Sequence, residues 1–589
     1  MKNPLEFYVQ QKTELEKESA ALKRTSLNLS VLRFIVFLVT CGLVYFTLGS
    51  YSEVIIVAFS GFFLFSFLVL KYHNLKRKKE VVEAKININK TEIKVLDKDF
   101  HHLKTGEEFV NPAHFYSNDI DLFGKGSFFQ YLNRTATIDG KTVLANTLTE
   151  NKITAILEKQ NALKELSEKV IWRQHFSALA SLVVVKNTSK SIVNWISNYT
   201  SVLPTYLIKI QIGFSLITLA LIGFLSFGFI SFSYLIIWFF VGLFITSKFG
   251  KKTLQIYTEI DKISDTFRQY YKLLNEIENE EFTSEVLKEK KEIIKSEEKK
   301  ASSIVKEFSK ILNTFDQRNN DVIAILGNGL FLFEIYNACT VEKWIFKYQH
   351  SVKDWFEVVA FFDAQNSLAN FNFNHPKFVF PEISNKKEII KSAKLGHPLL
   401  KVDKRIDNNF SIDDEQFFII TGANMAGKST FLRTVSLSIV MANCGLTVCA
   451  ESFQYSPVKL ITSMRTSDSL TDDESYFYSE LKRLKFIVDE IKGEKYFIIL
   501  DEILKGTNSK DKAIGSKKFV EKLTKSKSTG IIATHDVSLC ELENEFSGVK
   551  NYYFDAEIIK DELHFDYTLK NGICRNMNAS FLLKKMEIV

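Results

Sequence analysis

"FFIITGANMAGKSTFL", Phe417 to Leu432, is the stretch whose reading decides the fold. A buried-strand run of apolar residues leads into G-x-x-x-x-G-K-S, and a helix-forming run follows. Gly422 and Gly427 let the intervening backbone curl its N–H groups around phosphate oxygens. The spacing directs Lys428 to the β- and γ-phosphates, the Ser429 hydroxyl to Mg2+ and Thr430 to the α-phosphate. The helix that starts there points its positive end at the anion. A strand before and a helix after are the context that separates a phosphate loop from a chance match.

Two downstream stretches add what hydrolysis requires. In "KYFIILDEILKGT", Tyr496 to Leu500 reads as a buried parallel strand. Asp501 at its C-terminal end suits the Mg2+ shell, and Glu502 suits the positioning and polarising of an attacking water. In "STGIIATHDVSL" a further buried strand ends at Thr534, which puts His535 where a side chain senses the γ-phosphate.

Outward from this site the chain turns oily. It has 589 residues, 25% of them charged, a formal net charge of +7 and 52 Phe. That charge is too small to imply nucleic acid by itself. The Phe excess sits in apolar runs, and a spanning helix needs about 20 apolar residues. Residues 34–50 and 54–70 form one tight pair of such runs, and 210–227 and 231–247 form a second. Lys23, Arg24 and Arg33 precede the first pair; Lys71, Lys76, Arg77, Lys78 and Lys79 follow it. Lys209 precedes the second pair, and Lys248, Lys251 and Lys252 follow it. The turns carry neither Lys nor Arg, so both hairpins are expected to enter and leave from the cytoplasm. The alternative is two helical hairpins buried in a large soluble core, against which stands the absence of a polar stripe. A shorter run, "VIAILGNGLFLFEIY" from Val322, holds Asn328 and Glu334 and is expected as a buried core helix. No ionisable cluster lies inside the spans, so they read as an anchor and not a conduit. No cleavable signal sequence is expected, because the first apolar run begins late.

The middle of the chain is helical. Ile256, Ile260, Ile263, Phe267, Tyr270, Leu274 and Ile277 alternate spacings of four and three, a heptad seam, and Ile304, Phe308, Ile311 and Phe315 form a second run. Between them "KEKKEIIKSEEKK" interleaves Lys with Glu and reads as a solvated face. Cys41, Cys339, Cys444, Cys449, Cys540 and Cys574 form no C-x-x-C pair, which fits free thiols in a reducing compartment and not a zinc site.

"TGANMAGKST", "DEILKGTNSKD" and "ATH" resemble the ATPase domain of the MutS DNA mismatch-repair family. The Asn-Met inside the loop is the distinguishing detail. The resemblance implies an ATP site built from Gly422, Ala423, Asn424, Met425, Ala426, Gly427, Lys428, Ser429 and Thr430. Ser429 and Asp501 would take Mg2+, Glu502 and His535 the catalytic roles, and Asn424 a place near the γ-phosphate. "TSDSLTDDESYFYSEL" resembles the family's signature loop, which casts Ser475 as the residue that crosses a dimer to the partner's ATP. Where the family has Ser-Gly-x-Ser this sequence has Asp472-Asp473-Glu474-Ser475, whose carboxylates repel phosphate unless they face away or bind metal. "LGHPLL", "LFGKGSFFQYLNRTATIDGKTVLANTL" and "DAQNSLANFNFNHPKFVFPEI" extend the resemblance to the family's helical core. No mismatch-reading domain with a Phe-x-Glu wedge and no DNA-clamp insertion is recognisable.

The expected architecture is an α/β P-loop NTPase domain of the ABC/MutS type, an all-α core domain and two transmembrane helical hairpins. The expected divisions are 1–80 (N-terminal helix and first hairpin), 81–200 (start of the core), 201–250 (second hairpin), 251–390 (long helices and end of the core) and 391–589 (ATPase). The expected function is a multi-pass inner-membrane ATPase facing the cytoplasm, using ATP and Mg2+ at a homodimer interface, with DNA as a candidate partner. The alternative is a nucleotide-switched machine that acts on a membrane or an unknown protein partner and binds no DNA. An ABC-type transporter is disfavoured by the lack of an L-S-G-G-Q signature.

Overall fold

The computed structural model describes residues 3–183, 188–295, 299–316, 321–384, 386–423, 425–465, 476–504, 509–559 and 562–574. The chain opens with two long antiparallel helices, α1 (Pro4–Phe46) and α2 (Tyr51–Leu96). Pro4 fits the first helical position because its missing N–H has no partner there, and the Asn3 side chain caps the Leu5 N–H. The turn falls at residues 47–50, so the first apolar helix ends four residues before the expected limit of 50.

The helical body follows. It comprises α3 (Phe128–Leu132), α4 (Ile138–Thr149), α5 (Ile156–Glu168), α6 (Val170–Ser181), α7 (Ser189–Ser197), α8 (Leu207–Ser226) and α9 (Phe232–Asn279). It continues with α10 (Glu285–Glu292), α11 (Ala301–Asp316), α12 (Asp321–Phe331), α13 (Phe333–Tyr348) and α14 (Val352–Asn374). The heptad seam of α9 is buried from Ile256 to Ile277 and packs on α11, where Phe308 stacks on Trp344 of α13 at 3.8 Å between centroids.

α14 is the axis of this body. From Val358 onward it is buried on nearly all sides, and several of its polar side chains bind neighbouring elements. Asp363 accepts from the Ala136 and Thr137 N–H groups and from the Thr137 hydroxyl (2.6 Å), while Thr137 caps α4 at Gly140. A buried carboxylate is tolerated because several donors converge on it. Tyr8 of α1 donates to Asn374 (2.8 Å), and the Thr447 N–H and hydroxyl donate to Asn372. The N-terminal hairpin, the helical body and the C-terminal part thus meet along one helix.

Among the described residues four helices, α1, α2, α8 and α9, carry apolar windows long enough to cross a membrane. Only 6% of each window in α1 and α2 is buried within the protein, which does not fit a soluble core. The run from Val322 departs from its expectation. α12 buries Asn328 and Gly329 and exposes Val322, Ile325 and Leu326, because its polar and small residues are the ones that face protein neighbours.

The C-terminal part holds two main sheets. Its elements are β1 (Glu382–Ile383), β2 (Glu388–Leu395), β3 (Asn408–Asp413), β4 (Phe417–Gly422), α15 (Lys428–Asn443), β5 (Ser452–Tyr455), β6 (Lys459–Ser463) and α16 (Tyr476–Glu490). Then come β7 (Tyr496–Asp501), α17 (Ser509–Thr524), β8 (Thr529–Ala533), α18 (Leu542–Glu545), β9 (Val549–Phe554), β10 (Glu557–Ile559), β11 (Glu562–His564) and β12 (Leu569–Asn571). The larger sheet runs β12-β9-β4-β8-β7-β6, with all neighbours parallel except β12. β4, β7 and β8 are buried almost throughout, which explains their unbroken apolar runs. The register sets Ile420 opposite Ala533 and Ala533 opposite Asp501, so β4, β8 and β7 end at one level. That edge is where open parallel sheets gather ligand-binding residues.

Candidate nucleotide site

The loop after β4 closes on the first turn of α15. Gly427 has φ +102, and a Cβ there would sit 2.9 Å from the Tyr567 ring, so both conformation and space require glycine. Met425 also has positive φ (68°) and is 77% exposed, whereas Ala426 is buried. Asn424 and Ser475 lie outside the described residues.

Lys428 folds back over the loop. Its ammonium donates to the Gly422 carbonyl (2.7 Å) and the Ala423 carbonyl (2.9 Å) and lies 3.4 Å from His535 Nε2. Burial pulls its pKa down, and the nearby Asp501 and Glu502 carboxylates oppose that pull. The Ser429 hydroxyl donates to Asp501 Oδ2 at 2.6 Å, although the two residues come from different elements. Glu502 Oε1 stands 3.0 Å from His535 Nε2. Glu502 has φ +54, an uncommon conformation for a non-glycine residue, and its N–H is held by the Ala533 carbonyl (2.9 Å). The ends of β4, β7 and β8 therefore bring Lys428, Ser429, Asp501, Glu502 and His535 together. Thr430 is exposed on the first turn of α15.

Ser429 and Asp501 fit a Mg2+ ion. Their oxygens converge at the mouth of the loop, and Mg2+ usually takes one or two protein oxygens and completes its shell with water and substrate phosphate.

Beside the loop lies a cavity of about 290 Å³ whose lining includes His397, Ile406, Thr430, Phe431 and Tyr567. One ring of this lining, Tyr567, comes from far along the chain. Asn408 on β3 pins it by donating to the Tyr567 carbonyl (3.1 Å) and accepting from the Leu569 N–H (2.7 Å). An aromatic in "FDYTL" was the available signal, but no local pattern tied it to the loop. His397 Nδ1 accepts from the Leu399 N–H (3.3 Å), which leaves the proton on Nε2. Burial, reinforced by Arg433, Lys98 and Arg405, pushes its pKa down to about 4.

A glycine-shaped loop between a central parallel strand and a helix, with carboxylates at the end of a neighbouring strand, defines a P-loop ATPase-type domain. Residues 418–585 match the family described as MutS domain V, so this part of the chain is a MutS-type domain V. It is 28% identical over 298 residues to a MutS protein homolog 4 of Homo sapiens, covering 48% of this chain and 31% of that one. To a DNA mismatch repair protein MutS of Persephonella marina it is 34% identical over 223 residues, covering 36% and 25%. To the MutS of Fervidobacterium nodosum it is 28% identical over 253 residues, covering 40% and 29%. The matched part spans less than a third of the length of each relative.

Proposed function

We propose that this chain is a membrane-anchored ATPase that binds and hydrolyses ATP between the MutS-type domains of two copies. The observation that carries the reading is the meeting of two pairs, Ser429 with Asp501 and Glu502 with His535, at the mouth of one loop. Mg2+ bound with ATP would supply charge that offsets the phosphates, held by Ser429 and Asp501. Lys428 releases the loop carbonyls and turns its ammonium to the phosphates. Glu502 accepts a proton from the attacking water, and His535 keeps the Glu502 carboxylate aimed. Tyr567, Ile406 and His397 would hold the base. Exposed Met425, Ser429 and Thr430 on one face support a second copy closing over the nucleotide, with Ser475 as the proposed crossing residue and Asn424 at the γ-phosphate.

The divisions at about 80, 200, 250 and 390 and the inner-membrane, cytoplasm-facing placement belong to the same proposal. Exposed apolar windows in α1, α2, α8 and α9 and the Lys and Arg that flank them support it. ATP-dependent phosphate release from the purified chain tests the enzyme part; wild-type protein without Mg2+-dependent turnover removes it.

DNA binding is the open branch. Two lysines of the charged stretch around α10 pair with glutamates, Lys295 with Glu292 and Lys299 with Glu307 of α11 (3.0 Å), which supports the reading in which the partner is a protein or membrane and not DNA. Gel shifts with duplex and branched DNA across a salt series decide it, because a phosphate-binding surface loses affinity steeply with salt.

A further inference from the structure

α12 and α13 meet at an 84° bend. The hinge is Leu332, which is buried with φ +51. The bend is closed by a reciprocal pair: Asn328 accepts from the Glu334 N–H (2.9 Å) and donates to the Glu334 carboxylate (3.0 Å). Thr253 of α9 donates to the same carboxylate at 3.3 Å.

The end of α12 is finished by the second apolar hairpin. A helix leaves its last carbonyls without intrahelical partners. Here Thr218 of α8 donates to the Leu330 carbonyl (2.7 Å), and Gln211 of α8 donates to the Phe331 carbonyl (3.2 Å). Capping by span side chains is what non-helical backbone needs when water is absent. α9 meets α12 backbone to backbone: a Cβ on Gly242 would lie 2.3 Å from the Gly329 carbonyl oxygen. Such close approach at small residues is the usual way helices pack in lipid.

The opposite side of α12 is exposed. Val322 is 65% exposed, and Ile325 and Leu326 are each 52% exposed. Eleven residues rise about 17 Å, well short of the roughly 30 Å hydrocarbon layer. The helix therefore cannot cross. Its contacts fall on Gln211 and Thr218 of α8 and on Phe239 and Gly242 of α9, between the middle of each apolar span and its Lys-bearing end at Lys209 or Lys248.

We infer that α12 is a half-inserted helix whose apolar face is covered by lipid acyl chains of the leaflet on the Lys-rich side. The elbow at Leu332 carries the chain back out into α13. This inference rests on the membrane reading of α8 and α9. It makes the membrane contact of the helical body a third element, inserted between α11 and α13, and not only a pair of hairpins.

The test is photo-cross-linking of the full chain in vesicles of phosphatidylethanolamine and phosphatidylglycerol with unsaturated chains. Benzoylphenylalanine replaces Ile325 in one variant and Leu326 in a second, Phe240 of α9 as the span control and Val402 as the water-exposed control. Lipid adducts by mass spectrometry at Ile325 or Leu326 and at Phe240, with none at Val402, are the expected result. Adducts at Phe240 but at neither α12 position overturn the inference and leave the anchor standing. A cross-link from α12 to a second copy of the chain also overturns it. Absence of adducts at all positions removes the membrane reading itself and the inference with it.

Discussion

Lys428 and Glu502 carry the most direct residue-scale predictions. Lys428→Ala removes the ammonium that bridges the Gly422 and Ala423 carbonyls and is meant for phosphate; nucleotide binding should fall below detection in a filter assay. Glu502→Gln keeps the shape and the contact with His535 while removing the base. It should bind ATP normally and turn it over about 100-fold or more slowly, read as phosphate release under saturating ATP. His397 gives a pH prediction. Folded, its ring stays neutral down to about pH 4; unfolded, it takes up a proton near its ordinary 6.5. Between those values the unfolded chain holds more protons, so stability is full above 6.5 and is lost as pH falls toward 4. At about 1.4 kcal/mol per pH unit the window is worth about 3 kcal/mol. Denaturant unfolding in detergent at pH 7 and pH 4.5 should show a smaller difference for His397→Gln than for wild type. The phosphate-side residues were legible because the phosphate loop, "DEILKGT" and "ATH" are contiguous and lie at strand ends. Tyr567 and His397 were not, because the approach to β12 and the end of β2 bring them in from distant segments. The Asn424 and Ser475 assignments fall on residues outside those described.

Elements repeat the lesson at larger spacing. The heptad seam of α9 was readable because a buried stripe repeats along one helix, and Ile256 to Ile277 are buried as that spacing requires. α12 was misread as core because apolar composition says only that a helix avoids water. It does not say whether protein or lipid replaces the water, and the carbonyl caps from α8 are invisible in a linear string. The same limit applies to α1 and α2, which run 43 and 46 residues, well past their apolar windows. Their charged halves continue the helix without a break that sequence would mark. The α9–α12 crossing yields a test at this scale. Gly242→Val places a side chain against the Gly329 carbonyl, while Gly213→Val on α8 meets nothing within 4 Å. Overpacking of this kind costs about 1–3 kcal/mol. Thermal unfolding in detergent should show Gly242→Val clearly destabilised and Gly213→Val near wild type.

In the molecule as a whole, the proposed ATP-hydrolysing head is built onto helices proposed to lie in lipid. The helical body reaches the head through several contacts: Asn372 with Thr447, Lys98 with the Pro398 carbonyl, and Asp121 with Arg433 (3.0 Å) and Arg465 (2.6 Å). The hairpin reaches the body through Tyr8 and α14. The fold class of the head and the helical character of the body were both legible, since each rests on short-range pattern. Their joining along α14 was not, since it depends on single polar side chains meeting across the chain. The most direct measurement is Mg2+-dependent phosphate release from proteoliposomes washed at alkaline pH with carbonate, with Lys428→Ala as the blank. The chain should stay with the lipid pellet, and the pellet should carry turnover which the Lys428 variant lacks. Chain recovered in the supernatant, or a pellet no more active than the Lys428 variant, contradicts the proposal.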